Sequence, residues 1–152
     1  MRRMMAVGAV LGLLAVPALS QGLLGVGGSF WTGNPVLDAF VQVPLSDVTS
    51  LRVGVGTVFS AGGLNAFTID GTFLVTIALE TLAPYFGAGA GAFMVTGGGS
   101  AMGIFTVNGI AGVALPLADT FGIYGQIRFL GQVGGGGFTG DLLPGFGLYV
   151  VF

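Results

Sequence analysis

Few residues in this chain could do chemistry. Four charged side chains, Asp38, Arg52, Asp70 and Arg128, and three amides, Gln42, Asn108 and Gln126, fall on the minority parity of segments whose other parity is almost wholly apolar. Two acids and two arginines facing one interior favour ion pairs, because single buried charges persist only when paired. The expected pairs are Arg52 with Asp38 or Asp70, and Arg128 with Asn108 and an acid across the interior. A carboxylate pair, Asp38 with Asp70, is also the minimum for general acid–base catalysis; facing arginines more simply engage both acids. A polar path for ions or small solutes is the functional alternative to a packed network, since an ionisable group inside a membrane domain marks a site by default.

Other chemistry is excluded by what the chain lacks. It has no cysteine, which removes disulfides, thiolate metal sites and thiol nucleophiles, and no histidine, which removes the usual general base and the commonest metal ligand. No cofactor is expected. Four Lys+Arg against six Asp+Glu make no basic footprint for nucleic acid. Gly87-Ala88-Gly89-Ala90-Gly91 lacks the Gly-Lys-Ser/Thr ending of a phosphate loop, and Asp47 and Asp141 are too isolated to bind calcium.

The elements that must position the seven polar residues are strands. Phe67, Ile69, Gly71, Phe73, Val75, Ile77 and Leu79 share one parity, and Thr68, Asp70, Thr72, Leu74, Thr76, Ala78 and Glu80 the other, a period of two that a helix would scatter. Leu51 to Phe59 and Gly122 to Phe129 repeat it. Glycine-rich breaks at Thr32–Pro35, Ser60–Asn65, Gly97–Ala101 and Gly134–Asp141 take turns with breaks built on Pro and acids at Pro44–Asp47, Glu80–Pro84 and Pro116–Asp119. Eight segments result: Leu23–Trp31, Val36–Val43, Ser50–Phe59, Ala66–Leu79, Tyr85–Thr96, Met102–Leu115, Phe121–Val133 and Leu142–Phe152. Alternating connection chemistry fits an up-and-down meander whose two ends meet different surroundings.

The composition decides what surrounds it. With 152 residues, 53% hydrophobic and 7% charged, against about 25% charged in ordinary soluble domains, the apolar parity belongs in lipid. A soluble eight-stranded barrel would bury that parity, whereas here it would face water on almost every strand. Eight strands with an outward apolar band close into the smallest transmembrane β-barrel, all-β and antiparallel. Helical spans are the competing form, and the alternation argues against them. Glycines at 54, 56, 87, 89 and 91 on inward positions either leave room for water or let backbones approach closely.

The first twenty residues read as a signal peptide. Met1-Arg2-Arg3 is a cationic start, Met4 to Pro17 is apolar, and Ala18-Leu19-Ser20 offers small residues for cleavage before Gln21. A membrane anchor needs about 20 apolar residues, more than this run holds. Residues 21–152 then form the barrel domain, with Arg52 and Arg128 as its cations against six acids, a formal charge of −4.

Pro84-Tyr85-Phe86-Gly87-Ala88-Gly89-Ala90-Gly91, the run Asn108 to Asp119, and Tyr124-Gly125-Gln126-Ile127-Arg128-Phe129 resemble the small outer-membrane β-barrel superfamily of OmpA-like and opacity-type proteins. Phe146, Leu148, Val150 and Phe152 share one parity, similar to the C-terminal assembly signal such barrels present to their insertion machinery. The resemblance implies a bacterial outer-membrane location, outer-membrane lipid and the barrel-assembly machinery as partners, and a structural or surface-interaction role around a polar, largely plugged lumen. A narrow porin-like channel for ions or small solutes is the alternative. Enzymes of this fold class typically use histidine, so no enzymatic activity is expected. The connections at the glycine-rich end are shorter than the family's, which argues against adhesin or phage-receptor roles.

Overall fold

The computed structural model describes residues 21–59, 65–97, 100–134 and 137–152. The expected signal segment, residues 1–20, lies outside them. Eight strands follow in order: β1 Leu23–Trp31, β2 Asn34–Pro44, β3 Thr49–Phe59, β4 Asn65–Thr76, β5 Ala83–Gly97, β6 Ser100–Ala118, β7 Phe121–Gly134 and β8 Gly137–Val151. Each pairs antiparallel with its sequence neighbours, and β1 pairs with β8 to close the barrel. Closure leaves no full edge strand, so the backbone hydrogen bonds are met within the wall.

The hairpins differ in the way the sequence chemistry implies. β1 turns into β2 through Thr32 and Gly33 alone, with φ of 47° and 85°, the positive values that a tight two-residue hairpin needs. The β2–β3 connection is instead locked by backbone and side-chain bonds together: Leu45 and Ser46 donate their amides to the Thr49 carbonyl at 2.8 and 3.1 Å, and the Ser46 hydroxyl accepts from the Thr49 amide at 3.1 Å. The exposed acids Asp47, Glu80 and Asp119 all sit at this proline-turn end.

The strands are tilted. Following ladder partners from Leu24 through Val41, Val53, Gly71, Ala90, Val107 and Gly131 leads to Gly140 of β8, beyond the end of β1, as closing a sheet with stagger requires. One register shift, between Pro116 and Ala118, relaxes the β6–β7 ladder, where proline has no amide to give.

Three boundaries correct the expectations, and the first is that β6 ends at Ala118 rather than Leu115, because its ladder with β7 continues past Pro116. β8 begins at Gly137 rather than Leu142, because its glycine-rich start pairs with β7 up to Gly134 and Phe138 packs on Phe129, ring centroids 6.1 Å apart. β4 ends at Thr76 rather than Leu79, although Ile77 and Leu79 still bond across the hairpin to Pro84 and Leu82 at 2.9 and 3.0 Å. Most of the expected break at Ser60–Asn65 lies outside the described residues.

The two faces of the wall separate by parity. Phe67, Ile69 and Phe73 are exposed on the outside of β4, while Thr68, Asp70, Thr72 and Leu74 are buried inside. Outward aromatics gather near strand ends, with Phe30, Phe59 and Phe105 toward the glycine-loop end and Phe86, Phe121 and Phe152 toward the other. Trp31, Phe40 and Tyr149 point inward instead and are buried.

Candidate functional site

The interior is layered. At the glycine-loop end Trp31, Val36, Val58, Ala66, Phe93, Leu130 and Leu143 form one buried apolar cluster, joined by Val95 and Ile104. Trp31 meets Phe93 edge to face at 4.7 Å, and its indole nitrogen donates to Asp141 at 2.8 Å. Toward the proline-turn end lie two smaller groups, Phe40 with Tyr124 and Tyr149, and Leu74 with Tyr85 and Ile110. Between them sits a polar layer.

Arg128 of β7 organises that layer. Its Nη2 reaches Asp38 of β2 at 3.2 Å and its Nη1 reaches Asp70 of β4 at 3.3 Å, with all three side chains at most 10% exposed. Asp38 also accepts from the Ser29 hydroxyl at 2.8 Å. The Thr72 hydroxyl lies 3.0 Å from Asn108 Oδ1 and 3.3 Å from Asp70 Oδ1. One guanidinium thus holds both acids, and four strands meet through carboxylate oxygens.

Arg52 is placed differently from expectation. It forms no ion pair with Asp38 or Asp70; its Nε and Nη2 both donate to Gln42 Oε1 at 3.1 and 2.9 Å, and its Nη1 donates to Gln126 Oε1 at 3.1 Å. The guanidinium lies over the Phe40 ring at 4.0 Å and near the Tyr85 ring at 4.9 Å, so aromatic faces and amides take the place of an anion. Asn108 likewise meets Thr72 rather than Arg128. The physical reason is register: Arg52 and Gln42 are ladder partners, whereas Asp38 pairs with Gly56 and Asp70 with Gly54, which leaves both acids open to an arginine from across the barrel.

From Arg52 a polar thread continues through Gln42, whose Nε2 donates to Ser50 Oγ at 2.9 Å, toward the proline-turn end. Tyr85 closes the other side, donating its hydroxyl to Gln126 Oε1 at 3.0 Å. All seven polar residues singled out by sequence therefore face one interior: Asp38, Asp70 and Arg128 in one ionic group that Asn108 joins through Thr72, and Gln42, Arg52 and Gln126 in a second. Sequence reasoning left Ser29, Thr72 and Tyr85 out of the polar network, although their inward parity was the available signal.

The inward glycines serve two purposes. A Cβ on Gly87, Gly89 or Gly91 would collide with the carbonyl oxygens of Phe73, Gly71 and Ile69, so on β5 the missing side chains allow backbone approach and open no space. At Gly56 a Cβ would sit 2.6 Å from Thr68 Oγ1 and 2.7 Å from Asp38 Oδ1, displacing the ionic group. Phe146, Leu148, Val150 and Phe152 lie outside the barrel on β8 or just past it, all exposed. Phe152 is tied to the start of the barrel by its amide, 2.9 Å from the Gly22 carbonyl.

No protein-family profile matches the chain, and no curated protein matches its sequence. Solved structures do. The N-terminal β-barrel domain of Pseudomonas aeruginosa OprF aligns with a TM-score of 0.73 at 17% identity, covering 87% of this chain and 97% of that one. Neisserial surface protein A, NspA, aligns with a TM-score of 0.65 at 12% identity over 87% and 95%. The outer membrane enzyme PagL aligns with a TM-score of 0.53 at 13% identity over 88% and 99%. The chain has the fold of small outer-membrane β-barrels, and since a protein of this fold is named an enzyme, activity must be argued from the interior itself.

Proposed function

We propose that the chain is an integral outer-membrane barrel with a structural or surface-interaction role and a lumen closed to solutes. The apolar cluster at the glycine-loop end carries this reading: Leu130 and Leu143 are 2% and 1% exposed, and apart from the Asp141 carboxylate held by Trp31 such an apolar layer offers little to replace an ion's hydration. Outer-membrane lipid is the partner of the outward face, whose exposed residues on β4 and β8 include Phe67, Ile69, Phe73, Leu142, Phe146 and Leu148. The strand Gly137–Val151 with Phe152 would present Phe146, Leu148, Val150 and Phe152 to the assembly machinery during insertion. The engagement of Asp38 and Asp70 by one arginine supports a non-enzymatic role, since the carboxylate pair serves as an ionic anchor between strands.

Expression of the full chain in a bacterium with two membranes tests the location. The protein should fractionate with the outer membrane, begin at Gln21 by mass spectrometry, and migrate as a compact band that shifts on heating. Recovery in the soluble fraction, or a band indifferent to heat, contradicts the reading.

A second reading, a narrow channel, draws on the thread from Arg52 through Gln42 to Ser50, which brings polar groups toward the proline-turn mouth. The apolar cluster at the opposite mouth weighs against it.

A further inference from the structure

A small cavity lies where the two polar groups face each other. Its volume is about 20 Å³, and its walls include Arg52, Gly54, Asp70, Thr72, Gln126 and Arg128. A cavity needs roughly 10 to 15 Å³ on this measure to hold a water, together with two to four polar partners. We infer that it holds one ordered water molecule bridging Arg52 and Gln126 to Asp70.

Hydrogen-bond capacity supports the assignment. A guanidinium carries five N–H donors, and Arg52 directs three at Gln42 and Gln126. Gln126 accepts twice at Oε1, from Arg52 and from Tyr85, and its amide hydrogens remain to donate. Asp70 accepts from Arg128 at Oδ2 and lies near Thr72 at Oδ1, half of the roughly four lone-pair sites of a carboxylate. Donors on one wall and spare acceptors on the other are what a bridging water uses. The buried Nε of Arg128 also has no hydrogen-bond partner among the described residues. The site rests on the closed lumen proposed above, since an open pore would exchange such a water freely.

Gly54 gives a clean way in. A Cβ built there meets both Asp70 carboxylate oxygens at 3.5 Å, ordinary contact, and the backbone imposes no positive φ. Gly54→Ala should therefore fill the cavity without a clash, and Gly54→Ser should put a hydroxyl where the water sits. In contrast, Gly71 faces outward with nothing within 4 Å, so Gly71→Ala is the control.

The experiment is oxygen-17 water relaxation dispersion on the refolded full barrel in detergent, which counts long-lived internal waters and is blind to hydroxyl-proton exchange. Wild type and Gly71→Ala should show one more long-lived water than Gly54→Ala and Gly54→Ser. Water–protein NOEs on the wild type should place it at the Gly54 amide. Absence of that NOE in wild type, or equal dispersion in all four proteins, overturns the assignment, and the wild-type NOE decides the matter if the Gly54 variants do not fold. Bilayer recordings of the same preparations separate the two proposals: a silent barrel with unchanged dispersion defeats the water site alone, while a conducting wild type defeats closure and the site with it.

Discussion

Arg128 bridges Asp38 and Asp70 with separate guanidinium nitrogens, at 3.2 and 3.3 Å, and so ties β7 to β2 and β4 through the middle of the barrel. Removing one partner of a buried ion pair leaves an uncompensated charge and costs about 3 to 5 kcal/mol. Arg128→Met should destabilise the barrel by that order in urea unfolding from lipid vesicles. The triple change Arg128→Met, Asp38→Asn, Asp70→Asn removes all three charges together and should recover most of the loss. A triple variant no more stable than Arg128→Met would show that the ions matter for something besides mutual compensation.

Arg52 tests a different interaction. Its guanidinium rests 4.0 Å from the Phe40 ring, and a desolvated cation–π contact is worth about 2 kcal/mol. A double-mutant cycle with Arg52→Met and Phe40→Leu should return a coupling energy of about 1 to 2 kcal/mol. Simple additivity would mean that Gln42 and Gln126 hold the arginine and the ring only fills space.

The glycines on β5 should be intolerant in a way the outward ones are not. Gly89→Ala and Gly91→Ala push a methyl into the carbonyl oxygens of Gly71 and Ile69, and should abolish or sharply slow appearance of the compact, heat-modifiable band. Gly71→Ala and Gly125→Ala meet nothing within 4 Å and should fold like the parent. Equal behaviour of the two pairs would contradict the close β4–β5 approach.

How much of this was legible depends on range. Alternation along Phe67–Leu79 is a local signal, because inside and outside swap at every residue, and it placed Asp70 and Thr72 indoors. The start of β8 was not legible: Gly137 and Gly140 are poor strand formers, and only pairing with β7 makes them a strand. That Arg128 meets an acid across the interior was legible, but not which one, since Asp38 lies 90 residues away and meets it only after the barrel closes. Arg52 was misassigned because charge complementarity was weighed without the ladder that places Gln42 beside it.

The outward face gives a depth-dependent prediction. Ile127 is the neighbour in sequence of the polar-layer residue Arg128 and is 55% exposed on the outside, so Ile127→Arg should cost about 2 to 4 kcal/mol, as at a bilayer midplane. Phe59, at the end of β3, should tolerate Phe59→Arg with a loss of about 0 to 1 kcal/mol. Unfolding titrations from vesicles give both values, and the reverse order would displace the proposed membrane position.

Closure of the lumen is tested most directly by planar-bilayer recording of the purified, refolded protein. The wild type should pass no steady unitary current, and Trp31→Ala with Phe93→Ala, which thins the apolar cluster at the glycine-loop mouth, should admit current if the doubly truncated barrel folds. Steady unitary currents through the wild type that change on Arg52→Ala or Arg128→Ala would contradict a closed lumen and make this barrel a channel.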